Sequence, residues 1–239
     1  MLGGKSKMQD LKILFEDNHI IVVEKKPNVP SQADKTEDED MLTIVKQYIK
    51  EKYNKPGNVY LGLVHRLDRP VGGIMIFAKT SKAASRLSDQ VRRKVFRKKY
   101  LAVVDGKLEQ QEGTLEDYLY KDERLNMSRV VGREKKNAKL AKLEFKVLKY
   151  NEVKNLSLLE VNLHTGRHHQ IRVQLSNFGH SIFGDQKYGN RGQGKQIALW
   201  AYELTIEHPI TKEEMTFKSL PEAVGTWCIL KLLDKQKEE

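Results

Sequence analysis

The chain has 239 residues, 39% of them apolar and 31% charged, with one cysteine and a formal charge of +11 from 43 Lys and Arg against 32 Asp and Glu. That length suits one large domain with a sizeable core, and that composition excludes a disordered chain. The single Cys228 excludes an internal disulfide and a cysteine-based zinc centre, and no run approaches the ~20 apolar residues of a bilayer span.

Residues 1–10 read as a loose leader without the apolar core of a secretion signal, so the chain is expected in the cytoplasm. Alternating segments at 12–16 and 20–24 flank Asp17-Asn18-His19 and predict a hairpin. An irregular loop starts at Lys26-Pro27. The acidic run at 36–40 is expected to cap the helix over 41–53 and fill its first turn, where the helix dipole favours carboxylates. A strand over 59–64 leads into a polar loop at 65–73, and a second strand covers 74–78.

Thr80 or Ser81 starts the next helix, with Ala84, Leu87 and Val91 as its apolar stripe. Seven basic residues between Arg86 and Lys99 face one acid, Asp89, and point to phosphate contacts. A second basic block, residues 121–142, carries eight Lys or Arg against Asp122, Glu123 and Glu134, and reads as a long mobile loop over RNA or simply over solvent. Strands follow at 143–147 and 159–163, with a turn at 151–155 between them. A helix then carries Ile171, Leu175 and Phe178, closed by Gly179, with Arg172 at the edge of its buried face. The chain finishes with strands at 198–207 and 215–218, a helix over 221–233 holding Cys228 as a core thiol, and a charged tail at 235–239. These elements predict an α+β fold around a largely antiparallel mixed sheet with flanking helices, one domain over 11–234. The basic balance makes nucleic acid the first partner to consider, and nothing calls for a second chain, so a monomer is expected.

The loop His65-Arg66-Leu67-Asp68-Arg69-Pro70-Val71-Gly72-Gly73 places one carboxylate between two guanidinium groups. It resembles the catalytic motif of the RluA-type RNA pseudouridine synthases. Three further stretches resemble that family in the expected order: residues 98–104 around Tyr100, residues 163–172 around His169 and Arg172, and Gly184-Asp185-Gln186-Lys187-Tyr188-Gly189. The resemblance implies a pseudouridine synthase-like domain with an active-site cleft and no N-terminal S4-type module. It implies isomerisation of uridine in structured rRNA or tRNA, without cofactor or metal.

Residue by residue, the resemblance assigns Asp68 as the catalytic acid, Tyr100 as the ring and hydroxyl beside the uracil, and Arg172 as the cation that keeps Asp68 ionised. Arg66 is expected to fill the space left by the flipped base. Leu199 is expected as an aliphatic wall, and His65, Arg167 and His169 as substrate-binding residues. Asp68 acts either as nucleophile on C1′ or as base toward a glycal, and both routes stay open. This chain departs from the family at Gly72, Gln174 and Trp200, where a small hydroxyl residue and two histidines are usual. A metal on His164, His168 and His169 is set aside for want of a suitably spaced carboxylate. A noncatalytic RNA-binding factor would use the same basic surface without the acid, whereas a glycoside or nucleoside hydrolase would need a second paired carboxylate or an acidic metal cluster.

Overall fold

The hairpin at the start of the chain forms because Asp17 closes it: its Oδ1 accepts hydrogen bonds from the amides of His19 and Ile20, both at 2.7 Å. Its strands, β1 (Lys12–Glu16) and β2 (Ile20–Lys25), pair antiparallel. These coordinates are a computed structural model that describes residues 11–190 and 194–231; the expected leader and charged tail lie outside the described residues. The chain forms two compact units. One runs up to Phe96 and takes in Glu203–Ser219, and the other runs from Arg97 to Tyr202 and includes the stretch from Leu220.

In the first unit β2 pairs with β4 (Gly72–Ala78), every residue of which is buried. The predicted strand over 59–64 shrinks to β3 (Gly62–Leu63), paired to the far end of β4. The two glycines expected in the loop belong instead to β4, with Gly73 opposite Lys25 at a φ of 120°, which only glycine adopts readily. Helix α1 (Met41–Lys52) is capped by Asp40, whose side chain accepts from the Leu42 and Thr43 amides, and it buries Met41, Ile44, Val45 and Ile49. Its first turn holds no acid, so the acidic run does less for the helix than expected.

Helix α2 (Ser81–Arg93) is capped by Thr80, but its buried stripe is Ala83, Leu87 and Gln90, while Val91 is 40% exposed. Gln90 replaces the expected apolar residue because its side chain donates to the Glu207 carbonyl at 2.7 Å and accepts from the Glu207 amide at 3.0 Å. One core joins Ile20, Val22, Ile74, Ile76 and Leu87 to Leu204, Ile206 and Phe217. The last three come from β10 (Leu199–Glu207) and β11 (Glu214–Lys218), which pair antiparallel.

The second unit is built on β5 (Arg97–Asp105), β6 (Glu112–Asp122), β7 (Met127–Val131), β8 (Lys139–Asn151) and β9 (Leu156–Leu163). Their spatial order is β5, β9, β8, β6, β7, and each of these pairs is antiparallel. The second basic block is therefore ordered as ladder: it covers the end of β6, all of β7 and the start of β8. Asp122 makes the tight turn between β6 and β7 by accepting from the Arg124 and Leu125 amides at 3.1 Å, and Asn126 takes a φ of 47°. Its charges mask the strand pattern because they lie on the exposed positions of a ribbon.

Helix α3 (Gln170–Asn177) buries every residue from Gln170 to Leu175. Arg172 is thus inside the fold, 4% exposed, rather than at the edge of a stripe. The helix expected over 221–233 is a short 3-10 helix, Gly225–Leu230. Cys228 is half-buried, not a core thiol, and its Sγ bonds the Ala223 carbonyl. No described helix is long and apolar enough to cross a membrane.

Candidate active site

The Asp68 loop is braced from beneath by a residue the sequence reading passed over. Lys25 ends β2 facing inward and is fully buried; its Nζ donates to the carbonyls of Val29 at 2.7 Å, Arg69 at 2.9 Å and Lys26 at 3.2 Å. Three acceptors match the three donors of an ammonium group. Burial pulls the Lys25 pKa down from 10.5 to about 7, against the opposing pull of the Asp68 charge. Ser31 adds a second brace. Its hydroxyl donates to the Leu67 carbonyl at 2.7 Å, and its Oγ accepts from the Leu67 amide at 3.1 Å.

The turn itself closes through the Val71 amide on the Asp68 carbonyl at 3.0 Å, and the Arg69 carbonyl also receives the Asn28 amide at 2.8 Å. Pinned through its backbone on both sides, the half-buried Asp68 carboxylate sits on a rigid support. Its neighbours diverge. Arg66 is exposed, whereas Arg69 turns to the acidic run, donating to Thr36 at 2.6 Å and pairing with Asp34 and Asp38. That pairing is the use the structure finds for acids expected on α1. His65 points into the fold: its Nε2 accepts from the Ile76 amide at 3.2 Å and its ring meets Phe96 at 5.3 Å between centroids. An imidazole placed there anchors the loop to β4.

In the second unit Tyr100 is 6% exposed on β5, opposite Val161 of β9. Alternation puts Lys99 on the other side of the sheet, where it pairs with Glu160. A groove of about 500 Å³ lies on that other side, lined by Lys99, Glu144, Lys146, Glu160 and Asn162 among others. Its charges largely satisfy one another, so it is not the predicted site. Arg172 on α3 is held by Asp185, as two parallel bonds of 2.7 Å join Nε to Oδ2 and Nη2 to Oδ1. Asp185 is 1% exposed; burial pushes its carboxyl pKa up, and the Arg172 guanidinium together with the Lys187 and Tyr188 amides more than reverses this, leaving it lowered overall.

The Tyr188 ring lies 5.2 Å from the Arg172 guanidinium carbon. Its hydroxyl accepts from the Ser128 amide and shares a hydrogen bond with His169 Nδ1, both at 2.7 Å. His169 opens α3 in a left-handed conformation, φ 54°, and stacks on His168 at 3.7 Å between centroids. Both histidines precede the helix and His164 pairs with Glu144 at 3.0 Å, so the helical spacing considered for a metal does not exist. Arg167 is exposed and donates from Nε to the Leu140 carbonyl at 2.9 Å. Leu199 and Trp200 begin β10, both buried. Gln174 is structural: its amide donates to Asp117 at 2.7 Å and accepts from Gln170 at 2.9 Å, tying α3 to β6.

The predicted residues therefore fall into two groups, His65, Arg66 and Asp68 on one braced loop of the first unit, and Tyr100, Arg167, His169, Arg172 and Leu199 in the second. Lys98, in the family-like stretch with Tyr100 and among the basic residues expected to contact phosphate, is a further cation here; burial lowers its pKa. A Cβ on Gly166 would lie 3.4 Å from its ammonium nitrogen, so the turn before α3 comes close to it.

The fold is that of solved pseudouridylate synthase domains. Human RNA pseudouridylate synthase domain containing 4 superposes with a TM-score of 0.76 at 22% identity, over 95% of each chain. The human domain containing 1 gives 0.75, also at 22% identity, over 95% of this chain and 89% of its own. The family model described as RNA pseudouridylate synthase matches residues 19–177, and the chain belongs to that family, with the RluA-type motifs quoted above. Among its relatives, the RNA pseudouridine synthase YhcT of Bacillus subtilis is 35% identical over 85% of this chain and 66% of its own length. YjbO of the same organism is 35% identical over 87% and 71%. Ribosomal large subunit pseudouridine synthase D of Zymomonas mobilis is 31% identical over 87% and 68%. The chain thus spans about two thirds of the length of these relatives.

Proposed function

We propose that this protein isomerises uridine to pseudouridine in a structured RNA, with Asp68 as the acid at the ribose. The observation that carries the reading is the Asp68 loop: a family motif whose backbone is fixed by Lys25 and Ser31 while its carboxylate is half-exposed. In the reaction the N1–C1′ bond breaks, the uracil turns while held, C5 joins C1′, and the C5 proton is lost as N1 gains one. Nothing is oxidised, so side chains suffice. Asp68 either adds to C1′ or removes the C2′ proton. Arg172 supplies the cation that the family motif assigns to this step. Tyr100 supplies a flat face for the uracil and a hydroxyl near the moving protons. Leu199 completes the wall, and His65, Arg167 and His169 shape the approach.

A stacked uridine reaches such a pocket only after flipping, at a cost of a few kcal/mol, and Arg66 takes its place in the stack. The formal charge of +11 includes a local excess in residues 121–142, eight Lys or Arg against three acids, which supplies phosphate contacts. The Zymomonas relative's name makes large-subunit rRNA the first RNA to test, with tRNA second. The protein acts in the cytoplasm as a monomer, in one catalytic domain over 11–234.

The test is pseudouridine mapping of total RNA from cells carrying wild-type protein, Asp68→Asn, or neither. Loss of one or a few sites in both of the latter is expected. Sites retained at wild-type level with Asp68→Asn would refute the assignment and favour a noncatalytic RNA-binding role.

A further inference from the structure

Arg172 is more tightly constrained than a surface-facing active-site arginine needs to be, and the constraint comes from outside the residues assigned to the reaction. Asp185 occupies the Nε–Nη2 edge of the guanidinium through two bonds of 2.7 Å. Asp185 is itself fixed, because its Oδ1 also accepts from the Lys187 amide at 2.9 Å and the Tyr188 amide at 3.2 Å. The ring of Tyr188 covers the guanidinium at 5.2 Å. Tyr188 in turn is tied at three points. Its hydroxyl meets the Ser128 amide of β7 and His169, and its carbonyl accepts from Ser176 at 2.7 Å.

A guanidinium held on one edge and lying against a ring cannot rotate about its Cδ–Nε bond without breaking both contacts. Its other edge, at Nη1, then has one direction in which to donate. We infer that Asp185 and Tyr188 are positioning residues for the isomerisation: they aim Arg172 at its anionic partner in the reaction. The segment 184–189 thereby gains a mechanical role, and Ser128 links the aim of Arg172 to the β6–β7 ribbon. The inference rests on the proposed function, with Arg172 acting on the Asp68 carboxylate or on substrate, and adds to it the residues that set the geometry. A lysine at 172 would keep the charge but lose the planar pair of parallel bonds to Asp185.

The experiment is single-turnover and steady-state modification of an RNA transcript carrying the mapped site, with full-length Asp185→Asn, Arg172→Lys, the double variant and Asp68→Asn. Misaiming a group by about 1 Å costs on the order of a hundredfold. Asp185→Asn should therefore lose 30- to 300-fold in kcat, with KM and RNA affinity within threefold of wild type. In the Arg172→Lys background the same substitution should cost less than threefold, because the fork is already gone. A purely structural Asp185 predicts equal losses in both backgrounds, and that outcome overturns the inference, as does wild-type kcat for Asp185→Asn.

Should Asp185→Asn fail to fold, Tyr188 carries the test. Tyr188→Leu removes the ring, Tyr188→Phe only the hydroxyl, and kcat should fall at least tenfold further in the former; equal losses count against positioning through the ring. Full activity of Asp68→Asn would instead overturn the proposed function itself, an outcome distinct from a normal Asp185→Asn beside an inactive Asp68→Asn.

Discussion

Asp185 holds Arg172 by a two-pronged, nearly solvent-free ion pair, with side chains 0% and 4% exposed. Buried pairs of this type contribute little when compared with a well-packed apolar pair, but removing one partner strands a charge in the interior at a cost of about 3–5 kcal/mol. Arg172→Met should accordingly destabilise the protein by that order, measured by urea unfolding at pH 7. Because Asp185 then loses the cation that helps lower its pKa, much of the loss should be recovered as the pH is lowered and the carboxyl protonates. The Arg172→Met/Asp185→Leu double variant should be more stable than Arg172→Met alone. A loss that is independent of pH would show that packing, and not charge, is what the arginine provides.

Glu16 is the hub of a second network. Its carboxylate accepts from Lys52 and Lys79 at 2.7 Å, Tyr53 at 2.9 Å and Tyr48 at 3.0 Å, fastening β1 to α1 and to the end of β4. Burial pushes its pKa up, but the four hydrogen bonds outweigh this and bring it from 4.5 down to about 2. A folded-state pKa below the unfolded one means that the stabilisation is present above pH 4.5 and is lost as pH falls toward 2. Glu16→Gln should remove roughly 3 kcal/mol at pH 7 and almost nothing at pH 2, read from urea midpoints across that range. An equal deficit at both ends would show that the carboxylate charge is immaterial.

Lys25 gives a slope of the same sign in a higher pH window. Its folded pKa of about 7 lies below the unfolded 10.5, so between these values the unfolded chain binds one more proton and stability rises with pH. The slope attributable to this group approaches ~1.4 kcal/mol per pH unit within that window. Lys25→Met should abolish that part of the slope between pH 7.5 and 9.5, measured against wild type. It should also lower activity by loosening the Asp68 loop, since the Val29 and Arg69 carbonyls lose their donor. If the two proteins show parallel stability curves, Lys25 titrates normally in the fold.

The periodic parts of the chain were legible from sequence because burial imposes a period. The β1–β2 hairpin, α1, α2 and the β10–β11 pair emerge at nearly their true limits. What stayed hidden has a polar residue where the pattern expects an apolar one, or the reverse. Gln90 sits in the α2 stripe because it satisfies a strand backbone, and Lys25 sits in a core position because three loop carbonyls need a donor. β6 was lost among Glu112, Glu116 and Asp117, and β7 within a Lys- and Arg-rich stretch, in a ribbon that buries only Leu119 and Ser128 fully. Of the site, the motif residues were readable one by one, but the Asp185 fork was not, since nothing in spacing says that residues 13 positions apart will meet across a turn.

Tyr100 offers a direct test of the proton step. Tyr100→Phe keeps the ring and removes only a hydroxyl, so uracil stacking and RNA affinity should persist. Losing a positioned proton-transfer group costs typically 10²–10⁴-fold, and kcat should fall within that range with KM nearly unchanged. The complementary variant, Tyr100→Leu, keeps apolar bulk but loses the flat face and should raise KM as well. A Phe variant as active as wild type would reduce Tyr100 to a wall of the pocket.

The β6–β7 ribbon is where the RNA-binding claim is most exposed to refutation. Arg129 and Lys135 both lie near the Tyr120 ring, at 5.6 and 5.3 Å, so the ring concentrates two cations on one face of the ribbon. Register places Tyr120 opposite Arg129, and Val131, Tyr118 and Leu140 form the next row on the same face. Each phosphate neutralised by such a cation contributes about one unit to the salt dependence of binding. Arg129→Ala and Lys135→Ala should each reduce the slope of log K against log salt by about 0.7 to 0.9, raise KM several-fold and leave kcat at saturating RNA unchanged. A change in kcat without a change in slope would move these residues from the phosphate backbone to the chemistry, and no change in either would leave the ribbon outside the RNA footprint.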